Sequence, residues 1–322
     1  MTTTMNRLPV ATWNPLGVNY APASAALPDL PAEGWAQAEA LSPALPAGVT
    51  AAADFGDFAA SGMGVETDAW LADNANLVNH LAAAGKADAP VVFETALDAA
   101  HPHALTYLTI DAAEGSELTI VQVVRGDAEN GVSANLTRIR AAENSHVTLV
   151  QVQLLGNNAR RWNAVAIEEA KSARVEHVRI ELGGCVVACG ARAVLDHNKC
   201  EYDLDAVYFG HGEDVLDFND VSVHTGKDTL CEMHTAGVLT GHADKILRGT
   251  VDFQHGAKRG VGHESEDVLL FSPDARNRTA PLILCGEEEV EGQHAASVGR
   301  LDEAKLYYLR SRGLSEAQAR RL

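Results

Sequence analysis

The feature of this sequence that most constrains its fold is a repeat of 28 or 29 residues. Three segments align without gaps, and they begin at Ile110, Ile139 and Ile167. In each segment a run of alternating apolar and polar residues follows a short turn, a pattern typical of β-strands. One such unit cannot bury its apolar row alone, whereas coils stacked about 4.8 Å apart can cover one another. The repeat therefore predicts a solenoid of β-strands.

Two other architectures share parts of this pattern. A leucine-rich repeat has a similar period, but it requires an L-x-x-L-x-L-x-x-N signature that the segments lack, and their Val, Ile and Thr content favours strands. An antiparallel sandwich, in which three hairpins resemble one another by coincidence, stays open as the alternative. We favour a mainly β protein with a parallel β-helix. Further strand-like segments indicate that this β-helix continues to about residue 285.

The segments before the repeat predict an arm and a helix. Residues 21–60 are rich in Ala, Pro, Gly, Ser and Asp, which leaves little to bury and indicates irregular structure. A helix is expected from about 67 to 85, because Trp70, Leu77 and Leu81 fall on one helical stripe and a glycine ends the segment.

The end of the chain returns to a helical pattern. Asp302 is a suitable cap for a helix that Gly313 would end. Ser315 and Gln318 have the spacing of a capping box for a second, shorter helix.

Composition and charge exclude several classes of protein. With 46% hydrophobic residues the chain can build a core, and a net charge of −19 without a basic patch disfavours nucleic acid and anionic membranes. No apolar run is long enough to span a membrane or to act as a secretion signal, so we expect a cytoplasmic protein. Five cysteines, an odd number in a long chain, fit reduced thiols better than a disulfide framework.

Motifs for common enzyme chemistry are absent from the sequence. There is no phosphate-binding GxxxxGK[ST], no GxGxxG after a strand and no GxSxG, so the chain itself is not expected to hydrolyse ATP. A β-helix can also be a carbohydrate-active enzyme, which needs carboxylates that converge on one face. The residues available for this alternative are Asp196, Asp203, Asp205, Asp217 and Asp220.

The cysteines and histidines of the second half suggest metal chemistry only weakly. Cys231 and His234 have a spacing that some zinc sites use, but no second pair of ligands follows. Cys185 and Cys189 could face one side of a strand, where a buried pair of small apolar residues explains them as well.

A run of motifs in the last third of the chain resembles a known family. In order these are RGTVDF from Arg248, EDVLLFS from Glu266, CGEEEVEGQHAASVG from Cys285 and LYYLRSRGLSE from Leu306, and LPVATWNPLGVN near the start adds to them. Together they resemble the SufB/SufD family, the scaffold subunits of the SUF iron-sulfur cluster assembly machinery. The chain would then be a scaffold and not an enzyme.

The resemblance implies an architecture and partners. It implies a right-handed parallel β-helix with a helical N-terminal segment and a short C-terminal helical region, divided here into residues 1–90, 91–298 and 299–322. It also implies dimerisation, either as a homodimer or with a SufB/SufD paralogue, and docking on the SufC ATPase. The matching docking residues are Leu306, Tyr308, Leu309, Arg310 and Arg312.

The same resemblance implies a site for a transient iron-sulfur cluster. The family's histidine before the C-terminal helices matches His294, and Cys285 matches a cysteine of some SufB-like members. Where SufB itself carries a cysteine, this chain has Glu266, which we take as a third candidate ligand. A sulfur donor protein would supply the sulfur of the cluster, and the alternative is a SufD-like subunit that binds no cluster and serves as a structural partner.

Overall fold

The computed structural model describes residues 4–29, 33–36, 45–300 and 302–321, so part of the predicted arm over 21–60 lies outside the described residues. Most of its regular structure is β-strand. The α-helices are α1 Val65–Asn74, α2 Glu303–Ser311 and α3 Glu316–Arg321. The strands are β1 Val49–Ala51, β2 Leu77–Ala83, β3 Val91–Ala96, β4 His103–Ala112, β5 Glu117–Gly126, β6 Val132–Ala141, β7 His146–Leu155, β8 Arg160–Glu169, β9 Arg174–Glu181, β10 Val186–Leu195, β11 Glu201–Gly210, β12 Val215–His224, β13 Leu230–Leu239, β14 Asp244–Phe253, β15 Val261–Leu270, β16 Arg276–Cys285 and β17 Glu291–Arg300. Short 3-10 helices cover Asn14–Leu16 and Ala23–Ala25.

The strands form two facing sheets in which consecutive strands alternate. β1 and the even-numbered strands form a nine-stranded sheet, and the odd-numbered strands from β3 to β17 form an eight-stranded sheet. Every pairing is parallel except that of β1 with β2. The chain therefore winds through about eight turns of a parallel β-helix. This confirms the mainly β solenoid and excludes the antiparallel sandwich.

The predicted repeat is the repeat of the coils. Ile110 of β4 pairs with Ile139 of β6, which pairs with Ile167 of β8, and all three side chains are buried between the sheets. We call the space between the sheets the lumen. Along each strand the side chains alternate between the lumen and the outer face, because successive residues of a strand point to opposite sides.

Residues 4–29 and 59–63, which we call the strap, lie on the outer face of the nine-stranded sheet. The amide nitrogen of Asn6 donates to the carbonyl of Cys189 at 3.1 Å and to the carboxylate of Asp217 at 2.6 Å. Farther along the strap, the indole of Trp162 donates to the carbonyl of Ala25 at 3.0 Å. The strap buries this outer face, and its hydrogen bonds satisfy polar groups that are cut off from water.

The predicted helix over 67–85 is only partly correct. Helix α1 ends at Asn74, and Leu77 and Leu81 belong to strand β2, where both are buried in the lumen. The same apolar spacing fits a strand, because residues 77 and 81 share a face at period two, and β4 offers a parallel edge for β2. The β-helix thus begins before the predicted boundary at residue 90.

The predicted C-terminal helices are present. The Asp302 carboxylate accepts hydrogen bonds from the backbone of Ala304 and Lys305 at the start of α2. Ser315 and Gln318 form the reciprocal bonds of a capping box, with Gln318 N donating to Ser315 Oγ and Ser315 N donating to Gln318 Oε1. Among the described residues, no helix is long and apolar enough to cross a membrane.

The crossing of the strap over strand β10 gives a stability prediction. A Cβ on Gly190 would lie 2.6 Å from the Gly62 carbonyl carbon, so Gly190→Ala should force the strap away from the sheet. We expect a loss of about 1 to 3 kcal/mol in the free energy of unfolding, measured by urea titration. Gly299→Ala is the control, because its nearest neighbour is a flexible side-chain atom at 3.3 Å. Equal stability of both variants and the wild type would contradict this contact.

Candidate functional site

The last coil of the β-helix is its open end. Strands β16 and β17 are the terminal strands of their sheets, and each has a described strand neighbour on one edge alone. Nearly all residues of β17 are exposed. In the coil before, five of the ten residues of β15 are buried and only one is exposed. The last coil therefore presents the inner faces of two strands to the outside.

Cys285 and His294 both lie on the inner face of this coil. Cys285 is the last residue of β16 and pairs with the buried Phe253, whereas His294 is in β17 and pairs with Glu264. Both residues are exposed, because no further coil covers them.

The side chains of Cys285 and His294 in one subunit lie at different points along the lumen. A Cβ on Gly292 would lie 2.9 Å from Ile283 Cγ2, so these two residues face each other across the lumen. Cys285 lies two residues beyond Ile283 on one side of this contact, and His294 lies two residues beyond Gly292 on the other. Four strand residues correspond to about 13 Å, which is far more than two ligands of one iron atom span.

Glu266 occupies a different environment from Cys285 and His294. Its side chain is 2% exposed and forms an ion pair with Lys245, which is equally buried. Thr279 also donates a hydrogen bond to this carboxylate. Burial lowers the pKa of Lys245, and the charge of Glu266 opposes that shift. The structure thus surrounds Glu266 with protein partners, and its role as a ligand stays a prediction.

A second buried ion pair lies deeper in the lumen. Arg179 donates two hydrogen bonds of 2.7 Å to the carboxylate of Asp220. Near it Glu264 is buried, and its Oε2 atom has no hydrogen-bond partner among the described residues. Burial, together with the charges of Asp220 and Glu266, raises the pKa of Glu264 to about 7. The lumen next to the open end therefore contains a carboxyl group that changes charge near neutral pH.

The carboxylates considered for a carbohydrate-active enzyme do not converge. Asp217 lies under the strap and is paired with Arg248 at 2.8 Å, whereas Asp220 points into the lumen. Asp203 and Asp205 are on the outer face of the other sheet. Asp196 lies in a turn, where it accepts a hydrogen bond from Thr225. These residues therefore face different sides of the molecule.

The weak zinc motif is not a metal site in this fold. Cys231 points into the lumen and is fully buried, whereas His234, an odd number of residues later, is half exposed on the outer face. Across residues 4–29, 33–36, 45–300 and 302–321, no three His, Cys, Asp or Glu side chains form a group suited to a metal ion. One subunit alone thus offers no complete ligand set in its described part.

Helices α2 and α3 form a small hairpin beyond the last coil. Leu306 of α2 and Ala319 of α3 are buried, and the two helices contact each other. Leu309 is half-buried, and Tyr308, Arg310 and Arg312 are exposed, with the Arg312 guanidinium 5.9 Å from the centre of the Tyr308 ring. Of the predicted docking residues, Leu306 therefore supports the hairpin, while these exposed side chains are available to a partner.

The buried charges of the lumen escaped prediction from the sequence. Arg179, Lys245 and Glu264 occupy inner positions of strands, where an apolar residue is the usual occupant. A charged residue at an inner position of the period-two pattern is the signal that could have identified them. The pairing itself joins residues 41 and 21 positions apart, which local sequence does not specify.

A family model described as "SUF system FeS cluster assembly, SufBD core domain" matches residues 95–322. This range includes most of the β-helix, the open last coil and the helical hairpin. The chain belongs to the SufBD family. The match confirms the resemblance seen in the motifs of the last third of the sequence.

Curated SufBD proteins are similar to this chain over parts of their length. Over 120 residues it is 37% identical to the iron-sulfur cluster assembly protein SufD of Bacillus subtilis, a match that covers 37% of this chain and 28% of that protein. A SufBD family protein of Mycobacterium tuberculosis is 27% identical over 224 residues, or 67% of this chain and 56% of that protein. Escherichia coli SufD is 23% identical over 216 residues, or 66% and 51%. The chain thus spans about half of the two latter relatives.

The buried carboxyl group of Glu264 gives a prediction on pH. Its pKa is higher in the folded state than its ordinary value near 4.5, so its stabilising effect is complete below about pH 4.5 and is lost as the pH rises through 7. Glu264→Gln should therefore stabilise the protein at about pH 8.5, by up to about 3 kcal/mol, and change little at about pH 4.5. Urea unfolding at both pH values measures this difference. The exposed Glu129→Gln is the control, and an equal effect of both changes at high pH would refute the prediction.

Proposed function

We propose that this chain is a scaffold subunit that assembles iron-sulfur clusters in the cytoplasm together with a SufC-type ATPase and transfers them to apo-proteins. The observation that carries this proposal is the match of residues 95–322 to the SufBD core, combined with an open last coil that presents Cys285 and His294. The scaffold holds its cargo and catalyses no reaction of its own.

The open coil supports dimerisation at β16 and β17. Both are ten-residue terminal strands, and a long exposed terminal strand is a ready template for pairing with another chain. Because both sheets end in the same coil, a second subunit placed against it could extend both sheets at once. The partner is a second copy or a SufB/SufD paralogue.

The chemistry of the exposed donors suits a transient cluster. Iron in clusters prefers thiolate ligands, and imidazole is an occasional substitute. Since Cys285 and His294 of one subunit lie about 13 Å apart along the strands, we propose that each pairs with donors of the opposite subunit. A cluster that is held by a small number of protein ligands would be bound loosely enough to be released. Glu266 could join them only after it leaves Lys245.

The helical hairpin is the proposed docking element for the ATPase. Tyr308, Arg310 and Arg312 form an exposed aromatic and basic surface, and such residues are frequent in the centres of protein interfaces. ATP hydrolysis by the docked subunit would rearrange the dimer interface. That motion would expose Cys285 and His294 to iron and to a sulfur donor protein.

A structural partner without a cluster is the second candidate function. It is favoured by one observation, the lack of a three-ligand group in the described part of a single subunit. In that case the chain would position the ATPase, and a paralogue would supply the thiolates. The divergent carboxylates around β11 and β12 give no comparable support to a carbohydrate-active enzyme.

Anaerobic reconstitution with iron and sulfide tests the cluster site. The wild type should develop a visible charge-transfer absorption, and Cys285→Ala and His294→Ala should each reduce it and speed the loss of the cluster by about tenfold. His255→Ala is the control, because its side chain is 96% exposed in a turn.

Reconstitution and release at wild-type rates in both variants would show that the site assignment is wrong. A wild type that stays colourless yet binds the ATPase would favour the structural partner. A colourless protein that cleaves polysaccharides would favour the enzyme.

Size-exclusion chromatography with light scattering, with and without a SufC-type ATPase, tests docking. The mass without the ATPase reports whether the chain forms a homodimer. Tyr308→Ser combined with Arg312→Glu should weaken the complex by about tenfold or more, because both side chains are exposed on the hairpin. Tyr20→Ser, which is 51% exposed in the strap, is the control. Unchanged binding of the double variant would place the ATPase elsewhere.

A further inference from the structure

The outer face of the eight-stranded sheet carries an apolar strip. One row of outward residues continues from coil to coil at the ends of β7 to β15, and a second row lies beside it. Leu154, Leu182 and Val207 are 47%, 43% and 46% exposed, which is unusual for large apolar side chains that lie side by side. The apolar strip consists of Val152, Ile180 and Val207 in one row, and Leu154, Leu182, Phe209, Val238 and Leu269 in the other.

A band of carboxylates borders this strip on the same face. Glu176 of β9, Asp203 of β11 and Glu232 of β13 stand in register in one row, and Asp205 lies in the row next to the strip. Asp205 and Glu232 are 70% and 50% exposed. Arg174 partly offsets this charge at 2.8 Å from Asp203. Two histidines also face the band, with His263 Nδ1 2.8 Å from Glu232 and His234 Nδ1 3.6 Å from Asp205. We call Glu176, Asp203, Asp205 and Glu232 the acidic band.

The two outer faces of the β-helix differ in what covers them. The strap and α1 pack on the nine-stranded sheet, where the outward residues Trp162 and Leu136 are fully buried. The corresponding outward residues of the eight-stranded sheet form the apolar strip, in which Leu154, Leu182 and Val207 are exposed and the other residues are half-buried. An apolar surface of this size beside ordered charges is typical of a site for another protein.

We propose that the apolar strip and the acidic band together dock a cationic amphipathic helix of a partner protein. Five coils at about 4.8 Å make a strip of about 20 Å, which matches one face of a helix of about 13 residues. The apolar face of such a helix would cover Leu154, Leu182 and Val207, and Lys or Arg on its flank would face Asp205 and Glu232. A second copy of this chain is disfavoured as the occupant, because its net charge is −19. The acidic band of one copy would then lie against the acidic band of the other.

The test uses a fluorescein-labelled synthetic helical peptide with leucines at positions i, i+3, i+4 and i+7 and lysines on one flank. Fluorescence anisotropy should show saturable binding to the full chain that weakens with salt. Leu154→Asn with Leu182→Asn should weaken binding by about fivefold or more. Asp205→Asn with Glu232→Gln should also weaken it and reduce its salt dependence, whereas Val65→Asn, 71% exposed on α1, should leave it unchanged.

Three outcomes would overturn the proposal. The first is no saturable binding, and the second is equal binding of a scrambled peptide or of a peptide with glutamates in place of the lysines. The third is self-association of the wild type that the Leu154 and Leu182 double change abolishes, because the occupant would then be a second copy. None of these results depends on the cluster site, so the proposed scaffold function is tested independently.

Discussion

Each coil of this β-helix is bound to the next by two parallel hydrogen-bond ladders, one in each sheet. A ladder satisfies the backbone of every strand that has a neighbour on both edges, and it aligns each inner residue with its counterpart one coil away. At the last coil the ladders stop. The exposed edges of β16 and β17, and the exposure of Cys285 and His294, are consequences of that stop.

The same stacking explains how the lumen can contain charge. Arg179 with Asp220, and Lys245 with Glu266, are buried ion pairs whose partners come from facing sheets. A buried charge that loses its partner destabilises a fold strongly, so these pairs disfavour coil registers that would separate them. Glu264 forms no such ion pair among the described residues, and burial raises its pKa to about 7 although the charge of Lys245 opposes that shift.

The two outer faces of the β-helix differ in how far they are buried. The strap closes the outer face of the nine-stranded sheet with hydrogen bonds such as those of Asn6, and this face becomes part of the core. The outer face of the eight-stranded sheet keeps Leu154 and Leu182 exposed, on the same face as Asp205 and Glu232. In the described residues, the last coil thus leaves strand edges without a neighbour, and the second outer face keeps several apolar side chains exposed.

The sequence by itself determined the strand repeat and the resemblance to the family, because period-two alternation and motif order are local properties of the chain. It favoured a parallel β-helix, but only the strand pairing excluded an antiparallel sandwich. It also determined the caps of α2 and α3, since Asp302 and Ser315 act on neighbouring backbone groups. It did not determine that Leu77 and Leu81 form a strand, because their spacing fits both a helix and a strand and the free edge of β4 decided between them. Likewise, only the tertiary structure separated Cys285 from His294, buried Glu266 against Lys245 and left one outer face open. Each of these outcomes depends on which residue lies one coil away or across the lumen, and that neighbour is set by the register of stacked coils.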